Sequence, residues 1–130
     1  MLVLTIRTDK PEAEIGVYEN KKQLAYETWG AHRQLAETIH TKIEKLLMSR
    51  QKDWPNIQGI ICFQGPGSFT GLRIGLTVGN TLSYGLQVPI VATIGEDWVQ
   101  KGLAKLQGGK NDQLVLPEYG SPPHITMPKK

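Results

Sequence analysis

An eleven-residue run, Gly65-Pro66-Gly67-Ser68-Phe69-Thr70-Gly71-Leu72-Arg73-Ile74-Gly75, constrains this chain more than any other feature. It follows Ile57-Gln58-Gly59-Ile60-Ile61-Cys62-Phe63, which has the length and β-branched content of a buried strand. It leads into residues 72–86, which hold no proline and are long enough for about four turns of helix. A strand, a tight turn and a helix therefore meet here. Gly65 and Gly67 open backbone angles closed to other residues, Pro66 fixes its own φ, and Ser68 or Thr70 can cap the helix start. The first helical amides are then left pointing outward.

Two readings follow from that geometry. Outward amides at the positive end of a helix make an anion site, with Gly65, Gly67, Ser68 and Thr70 as its residues. A glycine turn can equally serve only to bring a helix close onto its strand. The run is not a Walker A sequence, because no Gly-Lys-Ser/Thr closes it. Nor do Gly65, Gly67 and Gly71 give the Gly-x-Gly-x-x-Gly spacing.

The helix adds a second constraint. Gly71, Gly75, Gly79 and Ser83 recur every fourth residue and so form one ridge almost without side chains. Each interior glycine costs roughly 1 kcal/mol relative to alanine, so a close contact must compensate. Arg73 and Asn80 exclude a membrane span, which leaves a packing face between soluble elements. Leu72, Leu76, Val78 and Leu82 point in several directions, so the helix reads as apolar nearly all round, and in so small a domain a partner is expected to cover it.

The glycine run, followed by Asn80-Thr81-Leu82-Ser83-Tyr84-Gly85-Leu86 and Val88-Pro89-Ile90-Val91, resembles the TsaB (YeaZ) family. The resemblance extends from residue 1 to about residue 100 and is strongest from 57 to 94. It implies a ribonuclease-H-like (actin-like) α/β fold and a non-catalytic subunit that supports a TsaD-like catalyst in forming N6-threonylcarbamoyladenosine on tRNA. It also implies a TsaE-like ATPase as a further partner, self-association in some members, and contact with tRNA only indirectly.

Composition agrees with a small cytoplasmic domain. In 130 residues there is room for one core, burying roughly two-thirds of the unfolded surface. Fifteen basic against twelve acidic residues give +3, too mild a charge to argue for nucleic acid. Cys62 is the one cysteine, which excludes an internal disulfide and reads as a small buried hydrophobe. Met1 leads straight into Leu2-Val3-Leu4-Thr5-Ile6, the pattern of a first strand rather than a signal peptide. No membrane association is expected.

Along the chain the order reads β-β-β-α-β-α-β-α. Strands are expected at about 2–7, 13–18 and 23–28, the first three forming an antiparallel meander around the turn Glu19-Asn20-Lys21-Lys22. A helix is predicted over 32–49, because Leu35, Ile39, Ile43, Leu46 and Leu47 recur at spacings of three and four. After the strand at 57–63 and the glycine-ridged helix come a strand at 88–93 and a helix opening at Gly95-Glu96-Asp97. Alternation of this kind gives a mixed sheet flanked by helices, with the usual right-handed crossover in its parallel part. Residues 1–106 form the expected lobe. The polar turn 107–112 stands where relatives by resemblance continue into a second lobe. Residues 113–130 read as a C-terminal strand at Gln113-Leu114-Val115-Leu116 and a mobile, proline-rich tail.

Catalytic constellations are thin. By resemblance, Ile6-Arg7-Thr8 stands where the family often has Asp-Thr-Ser, and Arg7 cannot hold a cation; Asp9 lies two residues further on. The paired metal histidines of TsaD-like proteins have no counterpart over Ile94–Val99. His32 and His40 are eight residues apart, about 12 Å along a helix, and make no ligand pair with each other or with His124. No Ser-His-Asp or Cys-His set assembles. The sequence thus points to no enzyme, no metal and no cofactor. What remains is binding: if Leu35, Ile39, Ile43 and Leu47 on the first helix lie beside Gly71, Gly75, Gly79 and Ser83 on the second, they form the candidate partner face, and the resemblance implies that a TsaD-like protein pairs through these two helices. A small anion- or nucleotide-binding enzyme using residues 65–71, and a regulatory homodimer, are the rival readings.

Overall fold

The computed structural model describes residues 1–31, 34–67 and 69–117. Five strands form one sheet: β1 (Leu2–Arg7), β2 (Glu12–Glu19), β3 (Lys22–Gly30), β4 (Gly59–Phe63) and β5 (Ile90–Thr93), in the order β3-β2-β1-β4-β5. Three helices follow the expected positions: α1 (Leu35–Met48), α2 (Phe69–Leu86) and α3 (Trp98–Gln107). β1 pairs antiparallel with β2 and parallel with β4, and β4 pairs parallel with β5. The turn between β2 and β3 places Asn20 and Lys21 at positive φ, consistent with the short polar hairpin read from the sequence.

The alternation of the strands explains the layers. Leu2, Leu4 and Ile6 of β1, Ala13, Ile15 and Val17 of β2, and Ile60, Cys62, Ile90 and Ala92 of the parallel half all face one side. There they meet Leu35, Ile39, Ile43, Leu46 and Leu47 of α1 and Leu76 and Val78 of α2. The opposite residues Val3, Ile61, Phe63 and Val91 meet Trp98, Val99 and Leu106 of α3. Two helices thus cover one face, while the other is covered by α3 over β4 and β5. No described helix is long and apolar enough to cross a membrane.

Residues 113–116 correct the sequence reading. They form no strand, because the outer edge of β5 is met by side chains instead. The Asn111 side-chain oxygen accepts from the Ile90 amide at 3.1 Å, and the Asp112 carboxylate accepts from the Ala92 amide at 3.1 Å. The Asp112 amide donates to the Ile90 carbonyl at 2.8 Å. Beyond that point Asn80 of α2 binds both backbone groups of Val115, donating at 3.0 Å and accepting at 2.9 Å. Val115 is buried while Leu114 and Leu116 face out. These bonds blunt the edge against pairing with another chain. The mobile tail expected over 120–130 lies outside the described residues.

Asn80→Ala removes both bonds to Val115 at once and leaves two backbone groups unpaired, at a cost of about 1–3 kcal/mol. The expected result is a lower denaturation midpoint together with faster amide exchange at Val115.

Candidate functional site

The structure places the expected partner face indoors. Leu35, Ile39, Ile43 and Leu47 are between 0 and 6% exposed and belong to the domain's own core. Gly75 lies against the Thr8 side chain, and a Cβ at Gly79 would stand 2.5 Å from Cys62 Sγ and 3.2 Å from Ile90 Cδ1. The Gly71 carbonyl accepts from Thr8 Oγ1 at 2.7 Å. Ser83 is buried and donates to the Val88 carbonyl at 2.6 Å. The bare ridge is therefore what lets α2 settle onto β1, β4 and β5. Its four-residue spacing identified a face correctly but assigned that face to the wrong neighbour.

The outward side of the same two helices is the surface that stays open. Ala36 and His40 of α1, with Thr70, Arg73, Ile74, Thr77 and Val78 of α2, line a groove of about 360 Å³. Ala36, His40, Thr70, Arg73 and Thr77 are exposed, whereas Ile74 is half-buried and Val78 buried, so the floor is apolar and the rim polar. His40 also leans on Trp54, with ring centroids 6.3 Å apart. These outward residues sit between the inward ones in sequence. The exposed polar positions Arg73, Thr77 and Thr81, four residues apart, were the signal that this side of α2 faces solvent.

The residues of the candidate anion site have separate environments. Gly65 is buried with φ 124°, an angle that favours glycine. Gly67 lies against Asp9, Thr70 opens onto the groove, and Ser68 lies outside the described residues. At the end of β1 the Arg7 guanidinium grips Asp9 with two bonds, Nε to Oδ1 at 2.8 Å and Nη2 to Oδ2 at 3.2 Å. It also lies 3.9 Å above the Phe63 ring. Burial works against the Arg7 charge, but the hydrogen bond and charge of Asp9 outweigh it and raise its pKa. Burial, and then the Glu14 carboxylate that accepts its hydrogen bond, push the Tyr26 phenol up to about 12. Among the described residues no three His, Cys, Asp or Glu side chains gather as a metal site.

A family profile described as TsaD, tRNA N6-adenosine threonylcarbamoyltransferase, matches residues 27–93, just over half of the chain. The chain belongs to this family. Within it, the chain is similar to proteins named for TsaB. It is 29% identical over 90 residues to the tRNA threonylcarbamoyladenosine biosynthesis protein TsaB of Buchnera aphidicola, a match covering 68% of this chain and 42% of that protein. To the Bacillus subtilis TsaB it is 46% identical over 54 residues, covering 42% of this chain and 22% of that protein. The solved structure of YeaZ from Pseudomonas aeruginosa superposes with a TM-score of 0.68 at 22% identity, covering 82% of this chain and 50% of that one. The TsaB (YeaZ) resemblance read from the glycine run thus holds, and the fold is ribonuclease-H-like. The chain spans about half the length of the relatives that it matches over most of its own.

Two measurements test the packing of the ridge in this TsaB-type chain. Gly79→Ala forces a methyl against Cys62 and Ile90 and is expected to destabilise by about 1–3 kcal/mol despite the better helix former. Gly85→Ala, where an added Cβ meets nothing within 4 Å, is expected to stabilise by about 1 kcal/mol. Opposite shifts in melting temperature are the outcome to look for.

Cys62 supplies a pH signature. Burial pushes its thiol up to about 12, so the folded chain holds this proton more tightly than the unfolded chain, whose value is 9.0. Its contribution is intact below pH 9 and falls as pH rises from 9 toward 12. A thiol-specific chromogenic reagent should report no free thiol at neutral pH until denaturant is added.

Proposed function

We propose that this chain is a non-catalytic binding subunit that docks a TsaD-type threonylcarbamoyltransferase and supports formation of N6-threonylcarbamoyladenosine on tRNA. The observation that carries the reading is the open groove between α1 and α2, with its apolar floor and polar rim. Two helices lying side by side offer a seam into which two helices of a partner can pack as a four-helix arrangement. The docking residues in this reading are Ala36, His40, Thr70, Arg73, Ile74 and Thr77, the outward neighbours of the residues that the sequence pattern favoured.

The non-catalytic role is supported by what occupies the end of β1. A strand-end carboxylate that manages phosphate or metal must be free to face it, and Asp9 instead accepts both of its bonds from Arg7. Relatives bearing the TsaB and TsaD names both occur, so partner and homologue share a fold, and a second copy of this chain is the competing occupant of the groove. A TsaE-like ATPase enters this scheme as a further partner, and tRNA reaches the chain only through the catalyst.

Co-purification with a TsaD-type protein from the same cell tests the reading. Ala36→Glu and Thr77→Arg change exposed positions on the groove and should abolish pairing without moving the melting temperature. Lys105→Glu, on α3 and also exposed, should leave pairing intact. Pairing retained in both groove variants would overturn the placement. Sedimentation at several concentrations separates the two occupants: self-association lost in the same variants would assign the groove to a second copy.

A further inference from the structure

The sheet order puts a topological switch between β1 and β4, because the chain leaves β1 toward β2 on one side and leaves β4 toward β5 on the other. In open sheets of this kind, ligands enter the crevice at the carboxyl ends of the two strands flanking such a switch. Here those ends carry Arg7 and Phe63. The guanidinium lies over the Phe63 ring and is held in a two-bond fork by Asp9, whose side chain is 7% exposed. Residues 7 to 9 then engage the last residue of β4 and the segment that follows it. Arg7 reaches Phe63, Thr8 binds the Gly71 carbonyl and lies against Gly75, and Asp9 lies against Gly67.

We propose that residues 7–9 form an internal clamp that closes this crevice. Arg7 acts as a tethered cation in the place where a charged ligand would sit, and Asp9 and Thr8 hold the glycine turn and the first turn of α2 against β1. The geometry favours closure for three reasons. A forked arginine–carboxylate pair is a strong, geometrically specific ionic contact. Stacking the guanidinium on an aromatic ring removes it from water without leaving its charge unpaired. The missing side chains at Gly67 and Gly75 bring the backbone so near that little room remains between the turn and the strand end. Arg7 and Asp9 are positioning residues in this scheme. The clamp concerns the chain alone, and its test is independent of the helix groove.

Amide hydrogen exchange on the full 130-residue chain decides the matter. In Asp9→Asn and Arg7→Ala, exchange should quicken by about tenfold or more in peptides spanning 64–75, with peptides from β2, β3 and α3 unchanged. A contact of merely global structural value would accelerate exchange throughout and would overturn the proposal, as would no change at all. Should either variant fail to fold, Thr8→Val keeps the shape and removes the bond to Gly71. Faster exchange confined to the first turn of α2 then supports the clamp, and unchanged exchange there overturns it. Calorimetric titration of the wild-type chain with inorganic phosphate, and separately with magnesium-ADP, should give no binding heat. Micromolar binding of either probe would contradict a closed crevice.

Discussion

The architecture depends on one close contact, the seating of α2 on the sheet through Gly75 and Gly79. An ordinary helix packs on a sheet at a distance set by its side chains; here the Thr8 side chain and Cys62 Sγ fill the space that those side chains would take. The approach fixes the depth of α2 and lets Leu76 and Val78 reach the core that α1 also fills. It also brings the start of α2 within hydrogen-bonding distance of the residue that follows β1, through Thr8 and Gly71. Backbone entropy opposes two glycines in a helix interior, and the dispersion contacts of a nearly bare face against β-branched residues offset that cost.

Much of this was legible in the sequence. Strand and helix order, the meander and the parallel half came from alternation, from spacing and from the glycine run, because each depends on local pattern. The family, too, was carried by the order of residues 65–91. What the sequence could not settle was direction. Four-residue spacing puts Gly75 and Gly79 on one face, yet a bare face fits a foreign helix and a home sheet equally well. The deciding information was the opposite face, where Arg73, Thr77 and Thr81 recur with the same period and are exposed. Reading α2 as apolar all round hid that polarity. The apolar stripe of α1 raised the same ambiguity, and an amphipathic helix on a small sheet satisfies its own core first.

The segment after α3 failed for another reason. Gln113-Leu114-Val115-Leu116 has strand propensity, but pairing with β5 is pre-empted by the side chains of Asn111 and Asp112. Asparagine and aspartate compete with backbone for backbone partners, and here they win because the donors they satisfy belong to an otherwise open edge. Propensity describes a residue's own backbone and is silent about which group reaches the edge first.

The two ends of the β4–α2 connection divide the chemistry of the molecule between them. Phe63 takes the Arg7 guanidinium on its ring at the end of β1, whereas Thr70 and Arg73 line the groove. Gly71 joins them, since its carbonyl is held by Thr8 while its helical neighbours Thr70 and Arg73 line the outer surface. Anything that shifts the 7–9 segment must therefore shift the first turn of α2, and with it the upper rim of the groove. In the two proposals made above, Arg7 closes the strand-end crevice and the outer face of α1 and α2 takes the partner.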